Sequence, residues 1–265
     1  MVAARSGVPT TRARRALLHA LVAMVACGQV WCALELCGLT LGPPRFMFAI
    51  EGVVVLGATL RTREREPFEV ARWGVIGLGT ATVWAALYYA AAALTHPPAA
   101  RVFDDSFLAR LPLVPAFTSI YLGVHVFSVV PYCVIPEPRI LRRYLLGNAL
   151  IVSLSTIAWV ALPVRLDRPP IPPDLPGFGA FLLRLVHQAD PITNCFPSAH
   201  CSVSVYAAIG LRFAPRPLFA WGIFTAAAIC ASTIFIRQHY VADVAAGAGI
   251  AALIAYAITR RPRAR

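Results

Sequence analysis

The chain contains no lysine. All 24 of its basic residues are arginine, set against 12 acidic residues, and the formal net charge is +12. Charge of either sign is scarce: 14% of the 265 residues are charged, 58% are hydrophobic, and mean hydropathy is +0.69. Soluble domains run nearer about 25% charged and about 45–50% apolar, so a soluble globular enzyme is excluded. The alternating segments of about ten residues that a transmembrane β-barrel needs are also missing. The seven cysteines contain no C-x-x-C pair, so neither a zinc site nor a redox motif is indicated. Their odd number does not complete a disulfide framework. No internal repeat is visible.

What is present is a series of long apolar runs, and these define an all-α fold: a polytopic transmembrane helical bundle. Runs at about 16–41, 46–60, 73–95, 113–135, 144–162, 198–213, 217–236 and 240–259 give eight expected spans. Crossing a hydrocarbon core of ~30 Å takes ~20 residues. The 46–60 run, short and carrying Glu51, is the weakest. Met24-Val25-Ala26-Cys27 is faintly like a lipoprotein cleavage box, but the first run is too long for a signal core, and an uncleaved span is expected. With the N-terminus cytoplasmic, 17 arginines fall on the cytoplasmic side and seven outside, as the positive-inside rule requires. Omitting 46–60 would put the basic N-terminus outside. Arginines placed in short loops this way speak for membrane topology, and nucleic-acid binding is set aside. The expected location is a bacterial inner or plasma membrane, with both termini cytoplasmic.

The longest loop, 163–197, lies on the outer side. Its first part is proline-rich and reads as a stiff extended path. Its second part, Phe178 to Asp190, spaces Phe178, Phe181, Leu182, Leu185 and Val186 as one face of a helix. This predicts an amphipathic helix on the outer membrane surface, either a plain anchor or one wall of a slot for lipid. Asp104 and Asp105, on another outer loop, read as a solvated acidic pair or as contacts for a polyol headgroup.

Three outer segments carry groups that could do chemistry. Each alone has an ordinary structural explanation; what matters is that the topology puts all of them on one side. In Asn194–His200, Pro197 suits the first turn of a helix. Ser198 and His200 then sit at a helix N-terminus, where free N–H groups and the macrodipole favour an anion. In Ser232–Asp243, His239 and Asp243 are four apart and share a helix face, and an Asp beside a His fixes its tautomer and raises the nucleophilicity of the other nitrogen. In the first segment Arg165 and Arg168 offer guanidinium groups suited to phosphate, with Arg168 held extended by Pro169. Arg237 lies in the third segment. Two His, one Asp, arginines and a helix N-terminus match phosphoryl transfer through a phosphohistidine. One His attacks, the other protonates the leaving oxygen, and the cations steady the phosphoryl charge. No carboxylate cluster suits Mg²⁺, so neither a metal nor any other cofactor is expected.

In these segments the sequence resembles the type-2 phosphatidic-acid phosphatase superfamily, whose motifs run K-x6-R-P, P-S-G-H and S-R-x5-H-x3-D. Arg168-Pro169 is similar to the end of the first. Pro197-Ser198-Ala199-His200 matches the second with Ala for Gly. Ser232 and His239-Tyr240-Val241-Ala242-Asp243 match the third. The resemblance implies a six-helix core over 73–259, an N-terminal addition over 1–72 with two candidate spans, and a basic tail over 260–265. It implies His239 as nucleophile, Asp243 as its orienting partner, His200 as general acid, and Arg168 and Ser198 as phosphate ligands. The first-motif Lys falls at Ala161 and the third-motif Arg at Thr233, leaving Arg165 and Arg237 as possible replacements. Phe-Pro-Ser-x-His with His-Tyr-x-x-Asp is more similar to the inositol phosphorylceramide synthase branch. That branch implies a phospholipid donor and a lipid alcohol acceptor. Hydrolysis of phosphatidic acid or a polyprenyl phosphate is the alternative within the superfamily. A transporter is the rival class, supported by His19, Glu35, Glu51 and His125 within apolar runs, but the inverted repeat it would favour is missing.

Overall fold

A computed structural model describes residues 12–38, 83–84, 86–95, 97–135 and 137–259. The 46–60 run, with Glu51, and the 260–265 tail lie outside the described residues. Among the described residues every regular element is helical, and extended segments pair only through two isolated parallel bridges. The helices are α1 (Arg12–Leu36), α2 (86–94), α3 (Ser106–Arg110), α4 (Thr118–Leu122), α5 (Val124–Phe127), α6 (Val130–Val134), α7 (Pro138–Ala161), α8 (Phe178–Ala189), α9 (Ala199–Gly210), α10 (Arg216–Phe235) and α11 (Val241–Thr259).

Three helices among the described residues are long and apolar enough to cross a membrane: Arg139–Ala161, Arg216–Phe235 and Val241–Ile258. Other expected spans take a different form. The 113–135 run divides into a 3-10 turn at Pro115–Phe117 and then α4, α5 and α6. It tightens where Gly123 N–H donates to the Ile120 carbonyl (3.0 Å) and Val129 N–H to that of Val126 (3.1 Å), i→i−3 bonds rather than i→i−4. The 198–213 run gives α9 plus a 3-10 turn at Leu211–Phe213. Twelve α-helical residues rise only about 18 Å. The short helix is tolerated because protein surrounds it: every α9 residue except Val205 and Ile209 is buried.

α9 is the centre of the bundle, packed on α7, α10 and α11. Between lipid-facing helices close backbone approach replaces the hydrophobic drive of water, and glycine makes that approach possible. A Cβ on Gly147 of α7 would lie 2.0 Å from the Tyr206 hydroxyl of α9, and one on Gly247 of α11 would lie 2.4 Å from the Ser198 carbonyl oxygen. Outside this packing, Leu146, Leu150, Leu154 and Ile157 of α7, Phe224 of α10 and Leu253 of α11 are exposed, a surface suited to hydrocarbon rather than to water.

The helix directions sort the loops. α7 and α10 end where α9 and α11 begin, so the 95–112, 163–198 and 236–240 segments meet at one end of the bundle, while 137–143 and 211–216 lie at the other. The proline-rich start of the long loop is extended, as its composition predicts. It forms a small parallel lattice, with Arg165 N–H bonded to the Arg101 carbonyl (2.9 Å) and Cys195 N–H to that of Val164 (3.3 Å). The amphipathic helix forms at Phe178–Ala189, but its inner stripe is turned by about one residue. Phe178, Gly179, Leu182, Leu183 and Val186 are buried, while Phe181 and Leu185 are exposed. Those two large apolar groups face away from the bundle, where the interface would receive them.

α1 is fastened to this frame by polar contacts. Gln29 donates to Thr225 Oγ1 (2.9 Å) and accepts from Trp221 Nε1 (3.3 Å). The Glu35 carboxylate accepts the backbone N–H groups of Phe178 (2.8 Å) and Gly179 (3.1 Å), and so caps the N-terminus of α8. Glu35, offered by the transporter reading, is thus a helix cap between distant segments.

Candidate active site

α9 and α11 bring their first turns together. Ser198 N–H donates to the Asp243 carbonyl (3.1 Å) across the Gly247 contact. Ser198 is the N-cap of α9, its Oγ accepting from Cys201 N–H (3.3 Å). Pro197 therefore precedes the cap and does not occupy the first helical turn, because a Ser hydroxyl satisfies a first-turn donor and fixes the helix start one residue later. The Pro197 carbonyl accepts from Trp159 Nε1 (3.1 Å).

At the start of α11, Tyr240 is the residue before the helix and Asp243 its third helical position. Asp243 Oδ2 accepts the Tyr240 N–H (2.8 Å), which is the return bond of a capping box. The same oxygen lies 3.4 Å from His239 Nδ1, and Asp243 is fully buried. His239 Nδ1 has a nearer partner, the Cys195 carbonyl at 3.0 Å. A carbonyl oxygen only accepts, so this contact assigns the proton to Nδ1 and leaves Nε2 with a free lone pair. The backbone of Cys195, which carries no sequence signature, thus orients the imidazole together with Asp243.

His200, the second residue of α9, is 5% exposed, as is His239. Their ring centroids are 6.1 Å apart. Tyr121 stacks on His200 at 4.2 Å and donates its hydroxyl to Asp190 (2.7 Å). A cleft of about 370 Å³ leads to His200 between α2, α4 and α8, lined by Trp84, Tyr88, Tyr121, His125, Leu182 and Leu185 among others. His125, offered as a transporter residue, therefore lines this cleft, with its ring 6.0 Å from His200. His19 is exposed.

The arginines divide. Arg168 lies at the same end and is bonded into the protein: Nη1 to the His187 (3.2 Å) and Asp190 (2.9 Å) carbonyls, Nη2 to the Pro191 carbonyl (3.3 Å) and to Gln238 Oε1 (2.6 Å). Among the described residues its buried Nε has no partner, and neither do Gln238 Nε2 and Asp243 Oδ1. Gln238, beside His239, is a site neighbour that the motif comparison did not single out. Arg165 turns to the surface, with Nη1 on the Pro97 carbonyl (3.2 Å) and Nε 3.3 Å from Asp167. Arg237, in a left-handed backbone conformation (φ 59°), donates to the carbonyls of Leu108 and Leu111. Burial lowers its pKa, and Asp105 opposes that shift. Both guanidinium groups thus hold loops in place. Asp105 is not a free acidic residue: it caps α3 through Leu108 N–H (2.8 Å) and accepts Val241 N–H (3.3 Å). Asp104 is exposed.

Ligand atoms of Cys195, His239 and Asp243 lie within 4.8 Å of one another, a cluster that the sequence pattern did not reveal. Its chemistry fits a cation poorly. Burial, followed by the Asp243 charge, pushes the Cys195 thiol up to about 12, so in the metal-free protein it is a neutral thiol. His239 Nδ1 and Asp243 Oδ2 are both committed to backbone partners.

This is a helical bundle of membrane type with two buried histidines and an aspartate at one end. The family model described as the PAP2 superfamily matches residues 143–265. That stretch, similar to the superfamily, begins in the second turn of α7 and contains Arg165, Arg168, Ser198, His200, Arg237, His239 and Asp243. No curated protein and no solved structure gives a significant match.

Proposed function

We propose that the protein is an integral-membrane lipid phosphotransferase that works through a phosphohistidine. The observation that carries this reading is the orientation of His239. Its Nδ1 is held by the Cys195 carbonyl and Asp243, and its ring lies 6.1 Å from that of His200. In the first step His239 Nε2 attacks phosphorus, the bond to the leaving oxygen breaks, and His200 supplies that oxygen's proton. In the second step an acceptor oxygen attacks the phosphohistidine, returns a proton to His200 and frees His239. Arg168, Ser198 and the first-turn N–H groups of α9 are assigned to stabilise the transferring charge, with Arg168 exchanging a protein partner for a phosphoryl oxygen. Resident metal has no part in either step. The catalytic core is taken as 73–259, with 1–72 as an addition bound through Gln29 and Glu35, and the site opens on the outer face.

The acceptor is inferred from the cleft. Aromatic and aliphatic side chains line the path to His200, and both histidines are nearly closed to water. A lipid alcohol fits that lining better than water does, which supports headgroup transfer in the manner of inositol phosphorylceramide synthases over hydrolysis of phosphatidic acid or a polyprenyl phosphate. The test is a donor panel of labelled phosphatidylinositol, phosphatidic acid and polyprenyl phosphate, each with and without a lipid alcohol. Label appearing on the alcohol supports transfer. Equal release of water-soluble phosphate with and without the alcohol identifies a phosphatase, and no turnover of any donor rejects the reading.

A further inference from the structure

At the opposite end of the bundle a second cavity, of about 490 Å³, opens between α7, the end of α9 and the end of α11. Its charged lining is Arg139, Arg143, Arg212 and Glu137, Tyr144 and Tyr206 also border it, and its apolar lining includes Ile140 and Ile258. Among the described residues none of these four charged groups is in an ion pair, so the cavity holds an uncompensated charge of about +2. The backbone adds to it. Glu137 is the N-cap of α7 but makes no side-chain cap bond, and Pro138 follows it. Pro138 has no N–H and Leu141 N–H is bonded to the Glu137 carbonyl (2.9 Å), so among the described residues the Arg139 and Ile140 N–H groups at the start of this 24-residue helix have no cap, on the same wall as the Arg139 side chain. The carbonyl ends of α9 and α11 oppose this charge; those of α9 are engaged by the Leu211 N–H. His200 and Asp243 are about 15–22 Å away along α9 and α11, so the cavity is separate from the candidate active site.

We propose that this cavity seats the phosphate of an anionic phospholipid from the leaflet on that side. Charge complementarity selects a phosphate. The apolar wall, next to the exposed Leu146 of α7 and Tyr256 of α11, gives acyl chains a way out to the bilayer. Basic pockets between membrane helices recognise headgroups in this way. The inference does not depend on the reaction proposed above. The arginine distribution assigns this end to the cytoplasmic side, where such lipids are concentrated.

The test uses the purified full-length protein in phosphatidylcholine nanodiscs. Native mass spectrometry counts retained phosphatidylglycerol, with inorganic phosphate and glycerol phosphate as soluble competitors. One tightly held phosphatidylglycerol is expected, with affinity falling roughly 10–100-fold in R139Q/R143Q and in R212Q. R142Q removes an exposed charge from the same helix turn that does not line the cavity, and should bind like the parent. Arg139 and Arg143 are exposed, so the double variant should keep its melting temperature. Resistance to the soluble phosphates is expected; displacement by either one overturns the lipid assignment in favour of a free-phosphate site. Parental affinity in R139Q/R143Q, or an equal loss in R142Q, overturns the proposal itself.

Discussion

Replacing Gly247 by alanine should damage activity far more than stability. The added Cβ would lie 2.4 Å from the Ser198 carbonyl oxygen and 3.0 Å from Ser202 Oγ. The serine hydroxyl can rotate, but the carbonyl cannot. It already accepts Ser202 N–H (3.0 Å) and Ser202 Oγ (2.9 Å), and Ser198 N–H is tied to the Asp243 carbonyl. Ordinary contact begins near 3.4 Å, so the first turns of α9 and α11 must part by about 1 Å. Overpacking of this kind costs about 1–3 kcal/mol, and the helix propensity of Ala over Gly returns about 1 kcal/mol. The net loss is at most about 2 kcal/mol. Ser198 and His200 ride on one of these turns, and Asp243, with His239 just before it, on the other. A displacement of about 1 Å between reacting groups costs on the order of 10²-fold in rate. Melting temperature and lipid turnover would be measured side by side. Gly249→Ala is the control, since a Cβ there meets nothing within 4 Å, and it should leave activity unchanged. Parental turnover in Gly247→Ala, or an equal loss in Gly249→Ala, would refute the argument that this approach sets the site geometry.

Three further outcomes follow from single contacts. His200→Ala should slow turnover by ~10²–10⁴ for a substrate with a poor leaving group and much less for an activated aryl phosphate; a uniform loss across a leaving-group series contradicts its role as proton donor. Cys195→Ser should keep near-parental activity, and EDTA should not inhibit, because His239 uses the Cys195 carbonyl rather than the thiol. Loss of turnover in chelator, restored by added divalent metal, would instead assign Cys195, His239 and Asp243 to a metal. Glu35→Ala removes the acceptor for Phe178 and Gly179 N–H and should weaken α8 by about 1–3 kcal/mol. This would be read as faster amide exchange over 178–189, with Glu35→Gln partly rescued; unchanged exchange in Glu35→Ala would show that the cap contributes nothing.

Much of the arrangement could be read from residue patterns, and the exceptions share a cause. His239 and Asp243 do meet, at 3.4 Å, but His239 lies two residues before α11 rather than on a helix face with Asp243; the period of Phe178–Asp190 gives a helix with the expected bounds within one residue. These signals are local and periodic. The Cys195 carbonyl, which holds His239, is a backbone acceptor 44 residues away, and any residue type at that position would present the same oxygen. The engagement of Arg237 with Leu108 and Leu111, and of Arg168 with the 187–191 backbone, was hidden for the same reason. Charge and motif spacing show that arginines are available but not which carbonyls reach them first. Hydropathy likewise counts 198–213 and 113–135 as spans without registering that α9 is wrapped in protein or that the earlier run tightens at Gly123.

The central claim is that His239 forms a covalent bond to phosphorus. The direct measurement is rapid acid-free quenching of the protein with ³²P-labelled lipid substrate, followed by alkaline gel separation and peptide mapping, on the parent and on His239→Ala, in the presence of EDTA. Label is expected on the peptide that carries His239, stable to alkali and lost in mild acid, with no label on the variant. Label of equal intensity on His239→Ala, or turnover by the parent with no trapped label at any time before product appears, would contradict it.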